Sequence, residues 1–466
     1  MKLAIVGLFC YVLTAAGAPA KDEVDVLIVG GGATGAYAAV RLREDFKKSV
    51  LVVEKSDRLG GHVHAYNPGS GLPVNYGVQA YLNRRTTKQF FKRFGVRLID
   101  PDFADYIDLI LATKNIDFKT GLPVHVNYGP VDIFGTPIGL LRYLTLAVKY
   151  QPWFENGYFK TGKVPEDLLL PFGKFLEKHD LGASLGILRN FLWLSDPLNT
   201  PTWHVMAVIG EPQISALGLG LTGPSFKWPE THSSETLFDR VLELMGDDVL
   251  LQSTIASSRR TNKGVTVTVQ TPFGQKTVHA KRILFAATPS PENIAPWDLD
   301  KNEKTLFNKF SWETLYVGVV NNTGIPSDVP GVRNSPDSSS SYYLPEGSFC
   351  DAYDRREDRD LWNTRVIGKA GLSADVAKEM ITQSLHTIGQ AGTYQIASPS
   401  VVAFASHGYT VPKVSSEDLA SGFFNKLYAL QGQRNTYWTG LAWAPDYTPV
   451  LWDFTEKLLP RLIEGL

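Results

Sequence analysis

A strand that runs straight into a glycine turn and then a helix leaves a chain little choice of fold. Val24, Asp25, Val26, Leu27, Ile28 and Val29 form such a strand, and Gly30-Gly31-Gly32-Ala33-Thr34-Gly35 follows without a break. The near-continuous apolar run fits a parallel strand buried on both faces. The glycines match G-x-G-x-x-G. Gly30 permits the tight turn, Gly32 lets backbone approach a pyrophosphate, and Gly35 lets helix and strand pack closely. A helix is predicted from Ala36 to about Phe46, then a second strand from Val50 to Val53 that ends in Glu54. The helix N-terminus offers N–H groups and a positive dipole end to phosphates. Glu54 stands roughly 20 residues beyond the last glycine, where an acid accepts hydrogen bonds from a ribose. A glycine-rich turn in an ordinary α/β protein would not account for that acid. The region is therefore read as a dinucleotide site on a Rossmann-type α/β unit.

The segment after Glu54 selects the dinucleotide. Lys55-Ser56-Asp57-Arg58-Leu59-Gly60-Gly61-His62 resembles the R-x-G-G-R extension of the flavin-containing amine oxidase superfamily. Arg58, Gly60 and Gly61 match, and His62 replaces the second arginine. Asn75-Tyr76-Gly77 resembles the superfamily's D-x-G element, with Asn75 for the acid. Downstream, an amphipathic helix is predicted over 237–245, then a β meander with strands at 254–256 and 265–269. Ile283-Leu284-Phe285-Ala286-Ala287 returns as a buried parallel strand. Asn435-Thr436-Tyr437-Trp438-Thr439-Gly440 resembles the last flavin-contact strand, although Leu441 replaces the usual acid. Thr448 and Pro449 read as N-cap and first residue of a final helix.

Within that superfamily the chain is similar to a fungal branch, that of β-cyclopiazonate dehydrogenase. R-L-G-G-H, N-Y-G, Y-W-T-G-x-A-W and a secretion-type leader carry the likeness. The resemblance implies FAD as cofactor. It places Gly30, Gly32, Gly35, Glu54, Arg58, Gly60, Gly61 and His62 around the dinucleotide and flavin. It sets Ile255 against the adenine, and Gly440 and Val450 at the flavin end. It also implies aromatic substrate neighbours at Tyr437, Trp438 and Trp443, and an activity in fungal secondary metabolism.

The first twenty residues stand apart. Lys2, an apolar run from Leu3 to Leu13, and small residues at Ala18 and Ala20 read as a secretory signal peptide cut after Ala20. The apolar run is shorter than the roughly 20 residues of a membrane span, which disfavours the alternative of an anchor. Secretion or delivery to a vesicular or vacuolar lumen follows as the expectation. Asn321-Asn322-Thr323 is a glycosylation acceptor compatible with that route. Cys10 leaves with the leader, so Cys350 remains alone, with no disulfide framework.

The net charge of −1 gives no electrostatic footprint for nucleic acid. It fits a hydrophobic small-molecule substrate. No later run is long enough to span a membrane. The expected architecture is a Rossmann-type FAD-binding domain of the amine-oxidase kind, interleaved with an α+β substrate domain. The FAD domain is placed in residues 21–95, 235–290 and 397–466, and the substrate domain in 96–234 and 291–396. Helices are expected over 137–150 and 166–179, and a strand over 315–320. The charge-rich run 351–360 reads as a solvated surface segment.

Flavin oxidation needs a donor carbon held against the cofactor and water kept under control. Candidate catalytic residues are His62, Tyr437, Trp438 and His232; for each aromatic, core packing is the competing reading. His62 as a covalent attachment point is a further alternative, since R-x-G-G-H also occurs in berberine-bridge-type enzymes, but those lack the strand and turn at 24–35. His204 reads as structural. The nine histidines are scattered and form no metal constellation. The leading expectation is an FAD-dependent oxidoreductase acting on an amine or activated C–H bond, with O2 or another electron acceptor and with ring closure of the product. A flavin-containing cyclase or isomerase without net redox is the alternative. A non-enzymatic binding protein is the third reading, and the missing acid after Gly440 is its only support.

Overall fold

The computed structural model describes residues 22–100, 112–127, 135–155, 157–158, 160, 162–216, 226–338, 341–356 and 360–466. The leader expected at residues 1–20 lies outside them. Two sheets organise the rest. The first grows from the nucleotide fingerprint. Glu23–Val29 pairs in parallel with Val50–Val53 on one side and with the second half of Gly274–Phe285 on the other. The first half of that long strand pairs antiparallel with Gly264–Thr271, which pairs with Thr254–Thr261. Val249–Leu250 and Thr436–Trp438 add at opposite sides, both parallel. Val26, Leu27 and Ile28 have no exposed surface, as a strand covered on both faces requires.

The C-terminal ends of these parallel strands carry Gly30, Glu54, Ala286 and Thr439-Gly440. That is the edge where open α/β sheets bind ligands. Ala33–Val40 follows the first strand and continues into a π turn, Arg41–Asp45. Thr448–Ile463 closes the chain against it, where Trp452 donates to the Ala33 carbonyl and stacks on Tyr37 at 5.1 Å.

The second sheet is six-stranded, in the order Ser400–Lys413, Ser311–Asn321, Leu361–Lys369, Phe349–Arg355, Gly331–Asn334, Lys114–Ile116. The helix Ala374–Gln390 covers one face and buries Ala377, Ile381, Leu385 and Ile388 there. Period-2 alternation sends Tyr316 and Val320 toward the helix and Leu315 and Val317 toward a cavity on the other face.

Three sequence expectations need correction. Residues 400–413, assigned with the FAD segments, form the edge strand of this second sheet, paired over its length with Ser311–Asn321. The expected helix over 166–179 is two helices, Glu166–Leu169 and Phe172–His179, because Pro171 has no N–H to give a continuous ladder. The first part of the charge-rich run, 351–355, is strand and not a solvated surface segment. Asp351 and Asp354 are 5% and 7% exposed and are paired with Arg333 and Arg365. A charged strand can be buried when its charges find opposite partners on neighbouring strands. In the acceptor sequence at 321–323, Thr323 is fully buried and donates to Asp360.

Candidate active site

The turn after the first strand is built from backbone. Gly30 has φ +95°, and its N–H donates to Val53 O. Gly35 is crowded: a Cβ there would sit 1.9 Å from Gly30 O. Gly32 differs. It is the N-cap of the helix, without a side-chain cap, and a Cβ on it would meet nothing nearer than Gly61 Cα at 3.9 Å. Helix N–H groups left free beside an open face suit a pyrophosphate. Glu54, 6% exposed, accepts from Gly31 N–H at 2.6 Å and Ser56 N–H at 2.8 Å. Its carboxylate thus stands beside the glycine turn, as a ribose-binding acid must. Ser253 N–H donates to Glu54 O, which brings the segment leading to Ile255 alongside.

The Gly-Gly turn docks on the fingerprint. Gly60 N–H donates to Gly31 O, and Gly60 and Gly61 have φ +109° and +58°. Arg58 donates to the Leu59 and Gly61 carbonyls and, at 2.7 Å, to His64 Nδ1, with Glu235 3.7 Å away. The segment at Asn75 zips against this turn: Tyr76 N–H donates to His64 O and Val78 N–H to His62 O. Gly77 permits that approach, since a Cβ there would lie 2.1 Å from His62 O.

Beyond the turn lies the cavity. One side is His62, the loop 76–80 and the residues 446–448 that open the last helix; the facing side is the second sheet, with Leu315, Val317, Asn363 and Arg365. Phe191, Trp193, Phe226 and Trp228 add an apolar lining. Buried polar atoms on its wall, among them His407 Nε2, Asn363 Oδ1, Thr410 Oγ1 and Arg333 Nε, have no partner among the described residues. Unsatisfied buried polar atoms are costly. A polar-edged ring system entering the cavity would satisfy them, and the helix beginning at Thr448 presents its positive dipole end to the same space. The residues present therefore fit FAD, with phosphates at Gly32, ribose at Glu54 and flavin in the cavity.

His62 lies on His407 at 4.2 Å, with the rings nearly parallel, and His62 Nε2 donates to the His407 carbonyl at 3.0 Å. That bond leaves Nδ1 of the neutral ring as an acceptor. His64 stacks on the same His407 ring at 5.6 Å. Burial holds His62 down at about 4 and, with the Arg58 charge beside it, His64 at about 3; burial also pushes His407 well below the usual imidazole range. His204 is held at about 4 by burial. All four are neutral in the fold.

This neutrality makes stability depend on pH. The unfolded chain takes up protons near 6.5, but these folded imidazoles do so only near 4 or below. Stability is therefore present at neutral pH and lost as pH falls from 6.5 to 4. His204, 4% exposed, alone accounts for about 3 kcal/mol of that loss. Asp446, raised to about 6 by burial, acts the opposite way but is one group against four. Melting temperatures recorded from pH 7 to pH 4 should fall steadily; a flat profile would contradict the neutral stack.

Three of the four candidate catalytic residues do not reach the cavity. Thr436–Trp438 pairs in parallel with Ile283, Leu284 and Phe285, so its side chains alternate between the faces of the first sheet. Trp438 is fully buried between Phe285, Phe307 and Trp443. Tyr437 points to the other face, and its hydroxyl donates to Arg461 O. Trp443 is likewise core. His232 sits in the turn before Glu235–Met245 with φ +55° and does not line the cavity. His62 does. Gly440 has φ +97°, and a Cβ on it would lie 3.1 Å from Ala286 O. Val450 is buried in the first turn of the last helix. The N-cap of that helix is Tyr447, so Thr448 and Pro449 stand one position further in than expected. His407, Asn363, Thr410 and Asp446 were missed. Each is a single polar residue in a strand or loop without a motif, and only tertiary structure gathers them.

A family model described as an NAD(P)-binding Rossmann-like domain matches residues 28–94. Among solved structures, the CLA-producing fatty acid isomerase from P. acnes superposes with a TM-score of 0.74 at 19% identity, covering 95% of this chain and 99% of that one. Cyclohexylamine oxidase from Brevibacterium oxydans superposes at 0.63 with 18% identity, over 95% and 99% of the two chains. Fold and cofactor cradle together define a Rossmann-type flavoprotein of the amine-oxidase fold. Closer relatives give the family. β-Cyclopiazonate dehydrogenase of Aspergillus flavus is 32% identical over 94% of this chain and 92% of its own length. FAD-dependent oxidoreductase oblC of Cochliobolus heterostrophus is 34% identical over 95% and 92%, and pigF of Monascus ruber is 34% identical over the same shares. The chain belongs to this family of fungal FAD-dependent oxidoreductases.

Proposed function

We propose that the protein oxidises a hydrophobic small molecule of fungal secondary metabolism at an amine or an activated C–H bond, and that the cation formed is trapped by ring closure. The observation that carries this reading is the cavity itself. Its lining combines the apolar Phe191, Trp193, Phe226 and Trp228 with the polar His62 and His407. A greasy substrate can thus be held by shape and burial, with its reacting carbon at the flavin end. FAD supplies the two-electron acceptor, and O2 or another acceptor removes the electrons afterwards. The chain's part is to bind, orient and exclude water. The leader at residues 1–20 supports a route through the secretory pathway to the exterior or to a vesicular or vacuolar lumen.

The test is an anaerobic screen of hydrophobic amines and terpene- or indole-derived metabolites against the holoenzyme. A substrate should bleach the flavin absorbance and yield a product lighter by two hydrogens. Conversion without bleaching would replace this reading with an isomerase or cyclase. Recovery of the leader-bearing precursor uncut from the native host would remove the secretory route.

A further inference from the structure

We propose that Asp446 is the acid–base residue of the cavity, taking a proton from a basic nitrogen of the substrate before the neighbouring carbon is oxidised. This rests on the oxidoreductase reading and deepens it by naming the substrate class, a hydrophobic amine.

Two carboxylates line the cavity, and they differ. Asp354 is held by Arg333 at 3.2 Å and Arg365 at 3.9 Å. Its charge is already answered. Asp446 faces the same space but takes no hydrogen bond and no ion pair among the described residues. Its position is fixed by its neighbours. Tyr447 caps the last helix, donates its N–H to Pro445 O at 2.8 Å, and donates its hydroxyl to Val208 O at 2.8 Å. An unpartnered carboxylate on a rigid turn, at the start of the helix that opens toward the flavin end, is a place for a cation or a proton to come from the ligand.

The groups around it are consistent with that role. From the first half of the chain His62 and Tyr76 line the cavity, and from the second sheet His407, Arg333, Arg356 and Arg365 do so. The Tyr158 hydroxyl, buried, feels the Asp446 charge. None of the arginines holds the Asp446 carboxyl down. Burial is the only cause acting on it, and it lifts the group to about 6. The carboxyl is thus mostly ionised at neutral pH and mostly protonated at pH 5.

The chemistry balances. A protonated amine has no lone pair to receive positive charge, so its α-carbon cannot release hydride. Its N–H proton passes to the Asp446 carboxylate, and the bonding pair stays on nitrogen. The α-C–H bond could then break with its hydrogen and both bonding electrons leaving together, as hydride, to the acceptor that FAD would supply, while the nitrogen pair forms the C=N bond of an iminium. Asp446 later returns the proton to water.

The experiment uses FAD-loaded full chain and calorimetry with benzylamine, a cation throughout the range, and benzyl alcohol, its neutral counterpart. Wild type should bind benzylamine about tenfold more weakly at pH 5 than at pH 7.5. Asp446→Asn should lose about tenfold at pH 7.5 and show no pH dependence, and Asp446→Glu should recover part of the affinity. Benzyl alcohol should bind all three alike. Benzylamine binding that is equal in wild type and Asp446→Asn, or absent from wild type, overturns the proposal. The FAD-to-protein ratio separates the two readings. Wild type that holds no FAD defeats the oxidoreductase reading; FAD retained without an Asp446 effect defeats this proposal alone.

Discussion

Gly32→Ala is expected to abolish most FAD binding while leaving the apoprotein folded. The prediction comes from the difference between two glycines of one motif. A Cβ on Gly32 meets no protein atom closer than 3.9 Å, and Gly32 caps the helix with φ −60°, a backbone any residue adopts. The apoprotein should therefore lose no more than about 1 kcal/mol, the cost of a poorer N-cap. The new methyl group would occupy the face where the pyrophosphate must approach backbone N–H groups. Affinity for FAD should fall at least about tenfold, or about 1.4 kcal/mol. Gly35→Ala differs, because its Cβ would collide with Gly30 O at 1.9 Å; it should harm apoprotein stability and FAD binding together. Fluorescence titration of FAD and thermal melts of the apoproteins distinguish the two. Equal FAD affinity in Gly32→Ala and wild type would contradict the cradle.

Arg260→Ala carries the largest expected loss of stability. Arg260 is 2% exposed and bridges two acids, donating from Nε to Asp298 at 2.8 Å and from both terminal nitrogens to Glu303, each at 2.8 Å. Glu303 is 1% exposed and also completes the capping box of Lys301–Phe307 with Asp300. The bridge thus joins the antiparallel edge of the first sheet to the segment that leads into the second. Removing the guanidinium leaves the buried Glu303 with the Asp300 N–H and, as its one remaining cationic partner among the described residues, Arg434 at 3.5 Å. Breaking one side of a buried pair costs about 3–5 kcal/mol, because the stranded charge stays out of water. Arg260→Lys should recover little, since a single ammonium cannot reproduce the two-pronged contact. By contrast Arg97→Ala, which removes an exposed pair with Glu230, should change stability by less than about 1 kcal/mol. Urea unfolding of the three variants measures the difference. A small effect at Arg260 would mean that Arg434 already neutralises Glu303.

The nucleotide half of the fold was legible because its signals are local. The apolar strand at 24–29, the glycines at 30–35 and the acid at 54 lie close together in sequence, and each has one physical job. The chain's membership of the fungal FAD-dependent family was legible for the same reason, through Arg58, Gly60, Gly61 and the segment at 436–440. The cavity was not. The resemblance makes Tyr437 and Trp438 substrate neighbours, but strand alternation sends neither side chain into the cavity. His407 and Asp446 carry no motif. His407 reaches the site because the strand Ser400–Lys413 belongs to the second sheet, a pairing that hydrophobic pattern alone does not specify. The buried pairs of Asp351 and Asp354 with Arg333 and Arg365 look like surface charge in one dimension. Their partners lie on neighbouring strands, and only the register brings them together.

FAD held in the cradle from Gly30 to His62, with redox chemistry in the cavity beyond, is the proposal on which the functional reading stands. The most direct measurement is the absorption spectrum of the protein purified after reconstitution with FAD. One FAD per chain is predicted, with flavin absorbance that dithionite bleaches and air restores. A protein that stays colourless after reconstitution would contradict the account.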